Sequence, residues 1–145
     1  MNPNLINKIN YTLKSGLGTL AIVSKIVDVK APTFIFLHDS LGCITLWRDF
    51  PERLAQATNC NYLIYDRLGY GASSINTNFS KRGNDYLDKE ADRLIELIQA
   101  LAIHQPILFG HSDGGSIALI AAAKAPSLIH GVISQAGHIL SLIHI

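Results

Sequence analysis

Four short apolar runs, each followed by a turn that contains a glycine, constrain the fold most strongly. They cover residues 33–37, 61–65, 106–109 and 129–134. Their length and their β-branched and aromatic side chains predict buried strands. Strands that are apolar on both faces are typical of a parallel sheet covered by helices on both sides. The runs therefore predict the central strands of one sheet.

Between these runs, apolar residues recur at helical spacing. The helical segments cover 47–57, 87–102 and 117–125, and Pro106 and Pro126 follow the last two. Because strand and helix alternate along the chain, we expect parallel strands that are joined by crossover helices. The carboxyl ends of such strands share one edge of the sheet, which is where open α/β sheets bind their ligands.

A glycine turn near the N-terminus adds a different strand pair. The segments TLKS and LAIVSKIVDV flank Gly16-Leu17-Gly18 and predict two antiparallel strands. The expected fold class is therefore α/β, with a mostly parallel central sheet of about six strands and helices on both faces.

Charge and composition exclude several classes of protein. Twelve Lys and Arg balance eleven Asp and Glu without a dense basic run, so we expect no nucleic-acid partner. The N-terminal residues do not read as a secretory signal, and no segment is apolar enough over about 18 residues to span a bilayer. We therefore expect a cytoplasmic protein with no membrane partner. Cys43 and Cys60 predict free thiols rather than a disulfide framework or a zinc site. The sequence leaves the oligomeric state open.

The pattern Gly110-x-Ser112-x-Gly114 lies between the strand at 106–109 and the helix at 117–125. This is the form of a nucleophile elbow, in which a serine occupies a strained strand-to-helix turn with its hydroxyl clear of the backbone. The two glycines leave room for the neighbouring backbones. The pattern predicts Ser112 as a catalytic nucleophile.

Backbone amides beside this serine would form an oxyanion hole. The first amides of a helix, at the positive end of its dipole, favour a developing negative charge, so the Asp113 amide is the expected first donor. A second donor must come from another strand exit. His38-Asp39-Ser40 leaves the neighbouring strand at the same edge, and we assign the second donor to the Ser40 backbone amide.

The segments FLHDSLG, LIYDRLGYGASS and ILFGHSDGGSIAL, with a tryptophan after the first, resemble the first half of an α/β-hydrolase domain over residues 20–139. The resemblance implies a hydrolase with a serine nucleophile that transfers an acyl group from an ester-like or carbon–carbon substrate to water. It also implies a small-molecule substrate, no metal, no organic cofactor and a structural role for His38. Asp39 departs from the glycine that the family usually has there.

The resemblance also implies that the triad acid and histidine follow two further strands, so we expect neither in this chain. His104 and His130 precede strands and should lie at the opposite edge of the sheet. His138 follows the last strand on the catalytic edge, but the resemblance places it in a loop that leads to a lid. Without a base, the chain as given should be nearly inert. The alternative is a non-catalytic binding or interaction module on the same fold.

We expect residues 1–139 to form the N-terminal part of one α/β-hydrolase domain and residues 140–145 to be a non-native tail. The tail, LSLIHI, has no capping residue or turn, and it corresponds to one translated frame of a transposase adapter used in sequencing libraries. In such a chain the strand at 131–133 would form an exposed edge that promotes association.

Overall fold

A computed structural model describes residues 5–75 and 83–138. It contains six strands, three α-helices and one short 3₁₀ turn at Ile44–Trp47. The strands are β1 Asn7–Thr12, β2 Thr19–Lys25, β3 Thr33–Leu37, β4 Asn61–Tyr65, β5 Pro106–His111 and β6 Gly131–Gln135. The helices are α1 Phe50–Thr58, α2 Tyr86–Ala100 and α3 Asp113–Lys124.

The strands form one sheet in the order β1-β2-β4-β3-β5-β6. β1 and β2 pair antiparallel, and β2 pairs antiparallel with β4. β3 pairs parallel with β4 on one side and with β5 on the other, and β5 pairs parallel with β6. The strand that follows β3 along the chain therefore lies on one side of it, and the later strands β5 and β6 lie on the other. Ligand crevices of α/β sheets lie at such a switch point in strand order.

Successive side chains of the buried strands point to opposite faces of the sheet, and both faces carry apolar residues. On one face, Ile35, Leu63 and Leu108 pack with buried residues of α2 and α3. On the other face, Phe36 and Ile64 pack against α1 and the 3₁₀ turn. Each fully buried side chain of this size contributes about 1.5–3 kcal/mol through removal from water. Helices therefore cover both faces, and the expected α/β fold class is confirmed.

The expected element boundaries need three adjustments. The first strand covers Asn7–Thr12 rather than TLKS, because Leu13 and Gly18 already pair across the turn through a 3.0 Å backbone hydrogen bond. β6 begins at Gly131 rather than at 129, since the Ile129 amide still bonds to the carbonyl of Ala125. α1 begins at Phe50, which leaves Pro51 in its first turn, where a missing amide proton costs nothing.

β6 ends the strand order of the described sheet, and Ile133 in it is 43% exposed. Within residues 5–75 and 83–138, no helix has both the length and the apolarity to cross a membrane. The proposed tail at 140–145 lies outside the described residues.

Candidate active site

Ser112 lies between the last residue of β5 and the first residue of α3. Its backbone has φ 54° and ψ −118°, a conformation that is strained for a residue with a side chain. Two hydrogen bonds hold it there. The Ser112 amide donates to the carbonyl of Gln135 at 2.9 Å, and the Ser116 amide donates to the carbonyl of Ser112 at 3.1 Å. The elbow that the sequence predicts is therefore present in the backbone.

Close packing explains the glycines of the elbow. A Cβ atom on Gly110 would lie 2.1 Å from the carbonyl oxygen of Gly114. A Cβ atom on Gly114 would lie 2.1 Å from the carbonyl oxygen of Leu37 at the end of β3. Because both side chains are absent, the start of α3 packs directly on β5 and on the exit of β3. The spacing Gly-x-Ser-x-Gly is thus a requirement of this backbone.

The exit of β3 lies beside the elbow because Leu37 pairs with Gly110 in the register of β3 and β5. Ser40, the expected second donor of the oxyanion hole, lies in the turn that follows. Asp113, the expected first donor, is the first residue of α3. The structure brings the two segments together at one edge of the sheet, and the donor roles of the two amides stay predictions.

His38 is buried in this turn and is 2% exposed. Its Nε2 accepts a hydrogen bond from the Arg67 amide at 3.1 Å, so the proton of the neutral ring resides on Nδ1, which donates to the Asp39 carbonyl at 2.7 Å. Burial, reinforced by the nearby charge of Arg67, lowers the pKa of His38 to about 4. The imidazole is therefore neutral at pH 7, as a structural role requires.

Arg67 is a residue of this site that the sequence analysis missed. Its side chain is fully buried at the exit of β4. Nη1 donates to the carbonyl of His38, and Nη2 donates to the carbonyl of Asp39 at 2.8 Å. The Tyr70 ring lies 4.9 Å from the guanidinium carbon. The sequence signal was an arginine two residues after a buried strand, where an enclosed guanidinium must find internal acceptors.

Asp66 precedes Arg67 and is 2% exposed. Its Oδ2 accepts from the Ala72 amide at 2.9 Å, and its Oδ1 accepts from the Ile44 amide at 2.7 Å. The first contact caps the turn that Asp66 itself begins. The second ties that turn to the segment before α1, so Asp66 joins two loops beside the crevice.

The structure places His138 close to Ser112. Its Nε2 lies 3.1 Å from Ser112 Oγ, and its amide donates to Ser116 Oγ at 2.8 Å. His138 thus lies closer to Ser112 than its assignment to a lid loop led us to expect, and the location of the triad acid and histidine outside the chain stays a prediction. The physical reason is the bond from the Ser112 amide to the Gln135 carbonyl, which holds the exit of β6 against the elbow.

The other histidines have different positions. His130 lies at the amino end of β6, where its amide donates to the carbonyl of Pro106 at 2.8 Å. His111 has its Nδ1 3.7 Å from Asp39 Oδ2, and both side chains are partly exposed. Together with Cys43 and Trp47, that pair lines a cavity of about 190 Å³ on the α1 side of the elbow. The described residues hold no cluster of three His, Cys, Asp or Glu side chains that could bind a metal ion.

The chain belongs to the alpha/beta hydrolase fold family, whose family model matches residues 32–144. Among curated proteins, it is 36% identical over 87 residues to serine hydrolase BPHL of Mus musculus, an alignment that covers 59% of this chain and 29% of the relative. It is 30% identical over 107 residues to 2-succinyl-6-hydroxy-2,4-cyclohexadiene-1-carboxylate synthase of Shigella flexneri, covering 74% of this chain and 39% of the relative. The chain therefore spans well under half the length of these relatives.

The fold also matches solved structures. A CIB-like hydrolase from Thermoplasma acidophilum superposes with a TM-score of 0.80 at 18% identity, covering 95% of this chain and 66% of that one. An epoxide hydrolase from Vigna radiata superposes with a TM-score of 0.71 at 19% identity, covering 88% of this chain and 38% of that one. At these identities the likeness concerns the fold.

Proposed function

We propose that this protein is a hydrolase in which Ser112 is the nucleophile and an acyl group passes from a small ester-like or carbon–carbon substrate to water. The observation that carries the proposal is the Ser112 hydroxyl at a strained elbow, 3.1 Å from the imidazole Nε2 of His138. A serine and a base within about 2.6–3.2 Å are the arrangement of nucleophilic catalysis. The name of the mouse relative, a serine hydrolase, also supports it.

The proposed reaction has two halves. Ser112 Oγ attacks the carbonyl carbon while its proton passes to the base, and the amides of Ser40 and Asp113 stabilise the oxyanion. The intermediate expels the leaving group, which takes the proton, and leaves an acyl-serine. The base then deprotonates water, which attacks the acyl carbon, and the base returns this proton to Ser112 Oγ as the acid product leaves. None of these steps uses a metal or an organic cofactor.

Two histidines are candidates for the base. The geometry favours His138, whose Nε2 already lies at hydrogen-bond distance from Ser112. The family resemblance instead expects a histidine after two further strands. A His138→Gln variant separates the two assignments, because loss of a general base lowers the rate by about 10²–10⁴-fold.

Labelling with a fluorophosphonate probe, which reacts with activated serines, tests the proposal. We expect labelling of the intact gene product that Ser112→Ala abolishes and that Ser127→Ala, a change at an exposed serine, leaves unchanged. If the folded protein shows no label at Ser112, the proposal is wrong and the elbow belongs to a binding module. The 145-residue chain should be labelled too if His138 is the base.

We also propose a cytoplasmic location. The support is the pair of free cysteines, Cys43 and Cys60, which suits a reducing compartment. Cell fractionation with an antibody to the protein tests it, and recovery in a secreted or membrane fraction would contradict it.

A further inference from the structure

We propose that Arg67 is a positioning residue that fixes the peptide between Asp39 and Ser40, and so directs the Ser40 amide into the crevice beside Ser112. The contribution of Arg67 to catalysis rests on the proposed function, whereas its effect on the orientation of the peptide does not. Arg67 comes from the exit of β4, and the peptide that it holds comes from the exit of β3.

The guanidinium binds two successive carbonyls of one turn. Nη1 donates to His38 O and Nη2 donates to Asp39 O at 2.8 Å. The Arg67 backbone amide donates to the His38 ring at 3.1 Å, so main chain and side chain hold the same turn. A planar guanidinium can serve two adjacent acceptors at once, and a lysine ammonium lacks that fixed fork. The contact is therefore specific to arginine.

Because the peptide is planar, the contact of Arg67 with the Asp39 carbonyl also determines the direction of the Ser40 N–H. The C=O and N–H of a planar trans peptide point in opposite directions, and the described residues contain no cis peptide. The Asp39 carbonyl points inward, because it accepts from Arg67 Nη2 and from His38 Nδ1 at 2.7 Å. The Ser40 N–H, at the other end of the same peptide, must then point away from Arg67.

The other amides of the turn are already used. Leu41 donates its amide to Asp39 Oδ1 at 2.8 Å, and Gly42 donates its amide to the Asp39 carbonyl at 3.3 Å. In the part of the chain that the structure describes, the Ser40 amide donates no hydrogen bond. A donor without an acceptor, held outward at the edge where Ser112 lies, suits the binding of an oxyanion.

Tyr70 and Tyr86 complete the support of the guanidinium. The Tyr70 ring lies 4.9 Å from the Arg67 guanidinium carbon and 4.8 Å from the His38 ring, so it covers both. The Tyr86 hydroxyl accepts from Arg67 Nε at 3.4 Å. A side chain that is enclosed in this way has no freedom to release the carbonyls, and the peptide stays in one orientation.

A kinetic comparison of oxygen and sulfur substrates distinguishes positioning from general stabilisation. We would measure kcat and KM of the intact gene product with p-nitrophenyl acetate and with its thiono analogue, in which sulfur replaces the carbonyl oxygen. Sulfur is a larger and weaker acceptor, so an aligned oxyanion hole favours the oxygen ester. For Arg67→Met we expect kcat for the oxygen ester to fall about 10²-fold with little change in KM, as for loss of one oxyanion donor. The preference for oxygen over sulfur should fall with it.

Arg67→Lys, which keeps the charge and reaches one carbonyl, should give an intermediate kcat, and it serves if the methionine variant does not fold. Arg93→Met is the matched control: Arg93 is also mostly buried, but it pairs with Glu90 within α2, so its loss should lower the melting temperature and leave the oxygen preference intact. If the Arg67 variants retain kcat, or lose it with the oxygen preference unchanged, the proposal is overturned.

Crystal structures of the wild type and of Arg67→Lys test the inference even without activity. We expect the Asp39–Ser40 peptide to be rotated or present in two orientations in the variant. An unchanged peptide would overturn the inference. Absence of Ser112-dependent turnover in the wild type would instead refute the proposed function, and the two failures are thereby distinguishable.

Discussion

Gly114→Ala tests the close packing that forms the elbow. The added Cβ would lie 2.1 Å from the carbonyl oxygen of Leu37 and 2.8 Å from that of His38. The first distance is about 0.9 Å short of the closest approach that Cβ atoms show, and both neighbours are backbone atoms that cannot rotate away. Overpacking of this kind costs about 3 kcal/mol or more. The higher helix propensity of alanine offsets at most about 1 kcal/mol of this, so we expect a net loss of about 2 kcal/mol or more.

The same substitution should also impair Ser112, the proposed nucleophile, because relief of the clash moves the start of α3 away from the exit of β3. A displacement of about 1 Å at a catalytic group can lower a rate by 10²-fold. The assays are urea unfolding, followed by circular dichroism, and the rate of fluorophosphonate labelling. Gly131→Ala is the matched control, since its Cβ would meet only the Ile107 side chain, with Cγ2 at 3.6 Å and Cγ1 at 3.9 Å, which are ordinary contacts. Equal stability and equal labelling of the two variants would refute the packing argument.

Three further predictions concern the turn, the β4 exit and the sheet edge. The pKa of His38 is about 4 in the fold against 6.5 in the unfolded chain, so the unfolded state binds the extra proton and stability falls as pH drops through this window. We expect the free energy of unfolding to fall by about 2 kcal/mol between pH 7.5 and pH 5, as measured by urea unfolding. The His38→Asn variant should lack this fall, and an unchanged pH dependence in that variant would contradict the prediction. Asp66→Asn should cost about 1–3 kcal/mol, because an amide can accept from only one of the Ile44 and Ala72 amides, and an unfolding midpoint like that of the wild type would argue against it. The 145-residue chain should associate through β6, and Ile133→Lys should raise its soluble fraction in sedimentation; a wild-type monomer that melts cooperatively would count against this.

Local patterns were sufficient for much of the fold. The runs at 33–37 and 61–65 match β3 and β4 residue for residue, because strands that are buried on both faces are mostly apolar, and here only the first residue of each, Thr33 and Asn61, is not. The elbow at Ser112 was predictable for a similar reason, since its glycines meet backbone atoms only a few residues away or on the adjoining strand. Features of this kind depend on composition and spacing, which the sequence displays directly.

Contacts between distant segments were not predictable in this way. Arg67 is 29 residues from His38, and nothing in either local sequence indicates that one side chain binds the carbonyl of the other. His138 is 26 residues from Ser112, and its position depends on the hydrogen bonds that hold the residues after β6 to Ser112 and Ser116. The sheet order around β3 likewise has no local signature, since β4 and β5 could each have paired elsewhere.

The exit of β4 links these distant contacts. Asp66 fixes the segment before α1 through the Ile44 amide, and Arg67 fixes the turn after β3 through the Asp39 carbonyl. Two adjacent side chains therefore hold different loops that border the same crevice. Because Asp66 satisfies amides in loops that contribute no proposed donor, its loss should mainly lower the free energy of unfolding. Because Arg67 orients the peptide that carries the Ser40 amide, its loss should lower turnover beyond any change in stability. If loss of Asp66 lowers stability alone and loss of Arg67 also lowers turnover, then Arg67, rather than the general packing of the sheet edge, orients the proposed oxyanion hole.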